Sequence, residues 1–147
     1  MKKRPVALCA RIWPRELFDC KHGKRLVVSD LEILSRPGVY ILYRDDVPYY
    51  VGKATKLRNR LWSHANRPTD KYYNFWNYFS AFAVENEEIR GQLEGVLIAA
   101  LPTANGAKPR IHKARLPMDV QKYLHKSLHE PLQLRAKAMR AAKGGVR

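Results

Sequence analysis

Gly38-Val39-Tyr40-Ile41-Leu42-Tyr43 and Tyr49-Tyr50-Val51-Gly52-Lys53 stand on either side of a short acidic turn, Arg44-Asp45-Asp46. Two aromatic and β-branched runs around such a turn predict a β-hairpin. Successive side chains of a strand alternate faces, so the register decides whether Tyr40 and Tyr50 meet. A two-residue turn at Asp45-Asp46 pairs Tyr43 with Pro48, sets Tyr40 opposite Val51 and sends Tyr50 to the other face. A three-residue loop, Arg44 to Asp46, pairs Tyr43 with Val47 and sets Tyr40 directly opposite Tyr50. It also pairs Ile41 with Tyr49 and Val39 with Val51, and puts Asp46 in the left-handed conformation that such loops need. The three-residue loop is the expected one, because it gives one face with two phenols and one face that is apolar.

The chain after the hairpin adds to that face. Gly52-Lys53 ends the second strand, and Thr55 is placed to cap a helix running to about Ala65. Leu57 and Leu61 point it at the core, while Arg60 and His64 stand together on an adjoining stripe at i, i+4 spacing. Two phenols, Lys53, a helix N-terminus, Arg60 and His64 thus converge. Most of them donate hydrogen bonds or carry positive charge, and a phosphate would be well received there.

Gly38-Val39-Tyr40, Tyr50-Val51-Gly52-Lys53 and Arg60 match, in order and spacing, the motifs of the GIY-YIG nucleases, with Glu94 and Asn105 in support downstream. The chain resembles that family over roughly Gly38 to Asn105, with Val replacing both central isoleucines. The resemblance implies an α+β fold, a small three-stranded antiparallel sheet flanked by helices. It implies an endonuclease that hydrolyses phosphodiester bonds, with a divalent cation held by Glu94, Mg²⁺ first and Mn²⁺ as the alternative. Tyr40 would be the general base, its phenol made more acidic by Lys53 and the metal. Tyr50 would position the water or a phosphate oxygen, and Arg60 would grip the scissile phosphate with its planar fork. His64 would be a phosphate donor or an alternative base. Asn105 would orient Glu94 or touch the phosphate. Gly38 and Gly52 would be structural, allowing close packing or backbone approach.

The residues alone leave other readings open. Glu94 is the only ionisable residue between Arg90 and Lys108. A carboxylate among apolar neighbours needs compensation, by a metal or by a salt bridge to a base such as Arg60. Asn105 reads equally as a turn cap. An idle nuclease fold that only binds nucleic acid, or a basic RNA-associated protein, is the competing functional reading.

The net charge is +15, and its placement is informative. Residues 1–25 hold eight basic and two acidic side chains, residues 106–147 eleven and two, and residues 26–105 nine of each. A neutral core between basic flanks predicts that most of the attraction for phosphate comes from the flanks, with Lys108, Arg110, Lys113 and Arg115 as the candidate nucleic-acid contacts. The expected partner is nucleic acid, DNA first; no protein partner is deducible. No apolar run approaches the ~20 residues of a membrane helix. Cys9 and Cys20 form no metal motif and fit buried or idle thiols in a reducing cytoplasm, the expected location.

One domain is expected over 1–147: an N-terminal extension at 1–35, the catalytic core at 36–106 and a basic helical C-terminal extension at 107–147. Within the first extension the sequence predicts a short strand or turn, then short helices near Arg15–Cys20 and Leu26–Leu34, the latter capped at Ser29. A third strand, about Phe75 to Val84, is apolar on both faces. Asn86 caps a helix to about Leu101, with Ile89, Leu93, Val96, Leu97 and Ala100 as its buried stripe. Further helices are expected from Pro117 to about Glu130 and from about Leu132 to Ala142.

Overall fold

A computed structural model describes residues 2–106, 111, 114–127 and 140 of the chain. The chain divides into two compact units, 1–111 and 112–147. In the second, residues 118–127 are helical and exposed, starting just after Pro117, whose carbonyl accepts from the Gln121 N–H. Lys108, Arg110, Lys113 and most of the last predicted helix lie outside the described residues; Arg115 is exposed. No helix among the described residues is long and apolar enough to cross a membrane.

The first unit is α+β. Its strands are β1 (Leu8–Pro14), β2 (Lys21–His22), β3 (Arg25–Leu26), β4 (Gly38–Arg44), β5 (Val47–Ala54) and β6 (Tyr78–Ala83). Its helices are α1 (Leu57–Asn66) and α2 (Glu87–Ala100). The main sheet is antiparallel with the order β1-β6-β4-β5, and β2 and β3 form a separate small hairpin. The sheet therefore has four strands rather than the expected three. The addition comes from the N-terminal extension, where β1 pairs Leu8 with Ala83 and Pro14 with Tyr78. Only Ala10 of β1 is buried, so this edge strand carries no apolar alternation that would mark it in the sequence. The predicted helices of the extension are 3-10 turns at Arg15–Phe18, Val27–Asp30 and Glu32–Ser35, with no cap bond from Ser29.

Both faces of the sheet are covered, as a third strand apolar on both sides demands. On one face, Leu57, Leu61 and Ala65 of α1 join Tyr40, Leu42, Phe79, Ala81 and Trp76 in the larger core. On the other, Val39, Ile41 and Val51 pack against Leu93, Leu97, Ile98 and Leu101. The buried stripe of α2 is thus rotated from the expected one: Val96 and Ala100 are exposed, and Ile98 and Leu101 take their place. Asn86 does cap α2, its Oδ1 accepting from the Ile89 N–H at 3.0 Å. Thr55 does not cap α1; the residue before the helix is Lys56, without a side-chain bond, and the Leu57 N–H is taken by the Arg36 carbonyl. Cys9 and Cys20 are free and exposed, not buried.

The hairpin register corrects the expected one. Tyr43 pairs with Pro48 and Arg44 with Val47 around a two-residue turn, in which Asp45 and not Asp46 has positive φ. Beyond it the register shifts by a β-bulge, so that Leu42 faces Tyr50, Ile41 faces Val51 and Tyr40 faces Gly52. The extra residue, Tyr49, adds to the one-residue slip of the shorter turn, and a total slip of two residues restores the original face. Tyr40 and Tyr50 therefore share a face after all, as diagonal neighbours with ring centroids 6.1 Å apart.

Candidate active site

The motif glycines are packing requirements. Gly52 lies opposite Tyr40, and a Cβ there would fall inside the Tyr40 phenol. A Cβ on Gly38 would collide with the Phe82 carbonyl oxygen and come within 2.8 Å of Leu57. Only hydrogen at these two positions lets a buried phenol lie flat beside β5 and lets α1 close over β4.

Tyr40 is fully buried, and its hydroxyl lies 2.7 Å from His64 Nε2. His64, on the last turn of α1, is fully buried as well, ringed by Tyr40, Tyr50 and Tyr72 at centroid distances of 5.5, 5.9 and 5.7 Å. Its Nδ1 lies 2.8 Å from Asp70 Oδ1. Tyr72 stacks on Tyr50 at 4.2 Å. Asp70 and Tyr72 both come from the loop after α1, and neither is marked by the motif. Asp70 sits only six residues after His64, a spacing that on a helix would point it elsewhere; the loop folds it back.

The electrostatics of this face overturn one expectation. Burial, reinforced by the neighbouring Tyr50, pushes the Tyr40 phenol far above its ordinary value; Arg60 offsets this only in part. Tyr50 is raised too, by burial first and then by Tyr72. Lys53 does not acidify Tyr40. It pairs with Val39, so it projects from the opposite face, where it leans to within 3.8 Å of where a Gly91 Cβ would stand. The cation beside both phenols is Arg60, which is exposed. Burial also holds the His64 imidazole below its usual pKa, against the pull of Asp70.

The two faces meet at the end of β5. A groove lined by Lys53, Thr55, Lys56, Asn59, Arg60 and Ser63 joins Lys53 to Arg60 around that edge. Glu94 is half-buried on α2, one turn after Gly91, close enough to Tyr50 to influence its ionisation. Among the described residues Glu94 makes no hydrogen bond or ion pair, and no group of three or more His, Cys, Asp or Glu is placed to share a metal. A single uncommitted carboxylate fits Mg²⁺, which keeps several waters and takes one or two protein carboxylates.

Asn105 is engaged elsewhere than expected. Its Oδ1 accepts from the Val51 N–H at 2.9 Å and from the Thr103 hydroxyl at 2.8 Å, and its Nδ2 donates to the Val51 carbonyl at 2.7 Å. With the Ala104 N–H on the Tyr49 carbonyl, the segment covers the outer edge of β5. The amide is committed to the strand backbone rather than to Glu94.

No protein-family model matches the chain. UvrABC system protein C of Pseudothermotoga lettingae is 60% identical over 37 residues, which is 24% of this chain and 7% of that protein. The same protein of Thermotoga maritima is 51% identical over 37 residues, 25% of this chain and again 7% of the relative. The chain thus spans a small fraction of the length of these relatives. Among solved structures, the GIY-YIG N-terminal endonuclease domain of UvrC from Thermotoga maritima, a point mutant bound to its catalytic divalent cation, is 34% identical with a TM-score of 0.45, over 52% of this chain and 92% of that one. Its magnesium-bound form is 38% identical with a TM-score of 0.41, over 46% and 83%. Over these partial stretches the chain is similar to UvrC and to its GIY-YIG N-terminal endonuclease domain.

Proposed function

We propose that the chain is a metal-dependent endonuclease that hydrolyses phosphodiester bonds in DNA, acting in the cytoplasm. The observation that carries this reading is the Tyr40–His64 pair beside Tyr50 and Arg60, with the uncommitted carboxylate of Glu94 near enough to Tyr50 to act on its ionisation. A module that only binds nucleic acid has no use for a bare carboxylate beside a phosphate site.

Glu94 would hold the divalent ion, which when bound neutralises charge on the phosphate and on the leaving oxygen. Arg60, exposed at the groove, grips the scissile phosphate with its guanidinium. Tyr50 orients the attacking water from its place between Tyr40 and Tyr72. Tyr40 stays a neutral phenol at ordinary pH, so it serves as base only by passing its own proton on. The acceptor in reach is His64 Nε2 at 2.7 Å. As the water oxygen bonds to phosphorus, its proton goes to Tyr40 Oη and the phenol's proton to His64. The P–O bond to the leaving ester oxygen breaks, and that oxygen takes a proton from solvent water. Lys53 and the basic residues Lys108, Arg110, Lys113 and Arg115 would hold the flanking backbone.

The test is purified protein with supercoiled plasmid, with Mg²⁺ and with chelator, beside Glu94→Gln. The expected result is nicking that needs metal and falls by about 10²–10³-fold in the variant. Binding without nicking, equal in both proteins and repeated on branched DNA and RNA, would overturn the enzyme in favour of a non-catalytic binding module.

A further inference from the structure

A buried neutral imidazole can carry its hydrogen on either ring nitrogen. The two choices have opposite consequences for Tyr40. With Nε2–H, the histidine donates to the phenol oxygen, and Tyr40 has nowhere to send its proton. With Nδ1–H, Nε2 is a bare acceptor and the Tyr40 hydroxyl donates to it.

We propose that Asp70 is a positioning residue for the Tyr40–His64 pair: it fixes His64 as the Nδ1–H tautomer and so leaves Nε2 free to take the Tyr40 proton. Three features carry this. Asp70 Oδ1 lies 2.8 Å from His64 Nδ1, on the side of the ring away from Tyr40. The Asp70 side chain is only 12% exposed and is itself held, because the same Oδ1 accepts from the Tyr72 N–H at 2.9 Å. The loop around it is closed by the Asp70 N–H on the Arg67 carbonyl and the Tyr73 N–H on the Asp70 carbonyl, an arrangement that Asp favours by bonding the backbone two residues on. Burial pushes the Asp70 carboxyl up, but the hydrogen bonds from His64 and Tyr72 more than offset it and keep it below the usual carboxylate range. Ionised, it can only accept, so the hydrogen between it and His64 must be on Nδ1. The three surrounding rings and the Trp76 indole, which donates to the His64 carbonyl at 3.3 Å, keep the histidine in place. The negative charge of Asp70 also stabilises the imidazolium that forms when the proton arrives.

The kinetic consequence rests on the nuclease reading; the tautomer does not. The test therefore has two arms. In the full ¹⁵N-labelled chain, the ring nitrogens of His64 should report a protonated Nδ1 and a bare Nε2 at neutral pH. A protonated Nε2 would overturn the proposal, whether or not the protein cleaves anything. In the second arm, Asp70→Asn keeps an oxygen for both hydrogen bonds and removes the charge. It should lower kcat by about 10–100-fold, the usual cost of losing a histidine's outer partner, with KM and oligonucleotide binding unchanged. An unchanged kcat, or a loss wholly in KM, would make Asp70 a loop anchor only. If the wild-type chain is inactive on every substrate, the nuclease reading falls, and the ring-nitrogen arm still decides the role of Asp70. The same arm decides if Asp70→Asn fails to fold.

Discussion

On the α1 side of the sheet, Tyr40 and His64 are buried and bonded to one another, whereas on the α2 side Lys53 and Glu94 stand at the rim. Tyr40 and His64 have no exposed surface, and each spends its polar atoms on a neighbour. Lys53 is exposed and Glu94 half-exposed, above a small core of Val39, Ile41 and Val51 that is apolar throughout. A proton transfer gains from a dry, fixed path, because the groups need no reorganisation and water cannot compete. In the proposed reaction a cation and a phosphate would come and go, which suits partners that are open to solvent. Among the described residues β5 is the last strand on its side of the sheet, and the groove at its end runs from Lys53 on one face to Arg60 on the other.

Tyr40→Phe tests the buried side most sharply. It keeps the ring and loses the hydroxyl, and cleavage should fall by about 10²–10⁴-fold, the span of acid–base catalysis. It should also destabilise the fold by about 1–3 kcal/mol, because His64 Nε2 is left buried without a donor. A polar change at the rim, such as Glu94→Gln, should leave the melting temperature in place. Equal thermal effects of the two substitutions would end the distinction between the faces.

The pH dependence is a smaller effect of the same asymmetry. His64 must be neutral to accept the proton, and its pKa in the fold lies below the ordinary 6.5. The acid limb of kcat/KM should therefore lie below pH 6.5, falling about tenfold per unit past the folded-state pKa. Stability should decline earlier. As pH drops below 6.5 the unfolded chain takes up a proton on this histidine that the folded chain still refuses. An acid limb above 6.5 would argue against His64 as the acceptor.

Asn105→Ala should give the smallest change. Losing the two bonds to Val51 at a partly buried edge should cost about 1 kcal/mol in a melting experiment, with cleavage reduced only in step with stability. A loss of cleavage at full stability would mean that the amide meets substrate directly.

The sequence made much of this legible, for identifiable reasons. The hairpin, the third strand and α2 with its Asn86 cap follow from β-branched runs and a helix start signal, which are local. The register did not follow, because a bulge is one extra residue with no composition of its own, and Tyr49 looks like any strand tyrosine. A short strand or turn was legible where β1 lies, but not its place in the main sheet, because a strand at the margin buries one side chain, too few to set up an alternation. The Tyr40, Tyr50, Arg60 and His64 cluster was legible from spacing along regular elements. Asp70 was not, since its place beside His64 depends on a loop turn. The environment of Tyr40 was misread for a related reason: strand alternation sends Lys53 away from it, and only the three-dimensional packing shows how dry the phenol is.

The pairing of β1 with β6 sets a timetable. Leu8 finds its partner at Ala83, whereas Tyr40 finds Gly52 within one hairpin. A chain emerging at ~5–20 residues per second holds β1 without a partner for roughly 4–15 s, while β4, β5 and α1 have all they need to assemble. The margin strand should thus dock last, as the step that depends on the longest loop. Pulse-labelled hydrogen exchange during refolding would see it as amides of β4 and β5 protected before those of β1, and the reverse order would show that β1 and β6 nucleate the sheet instead.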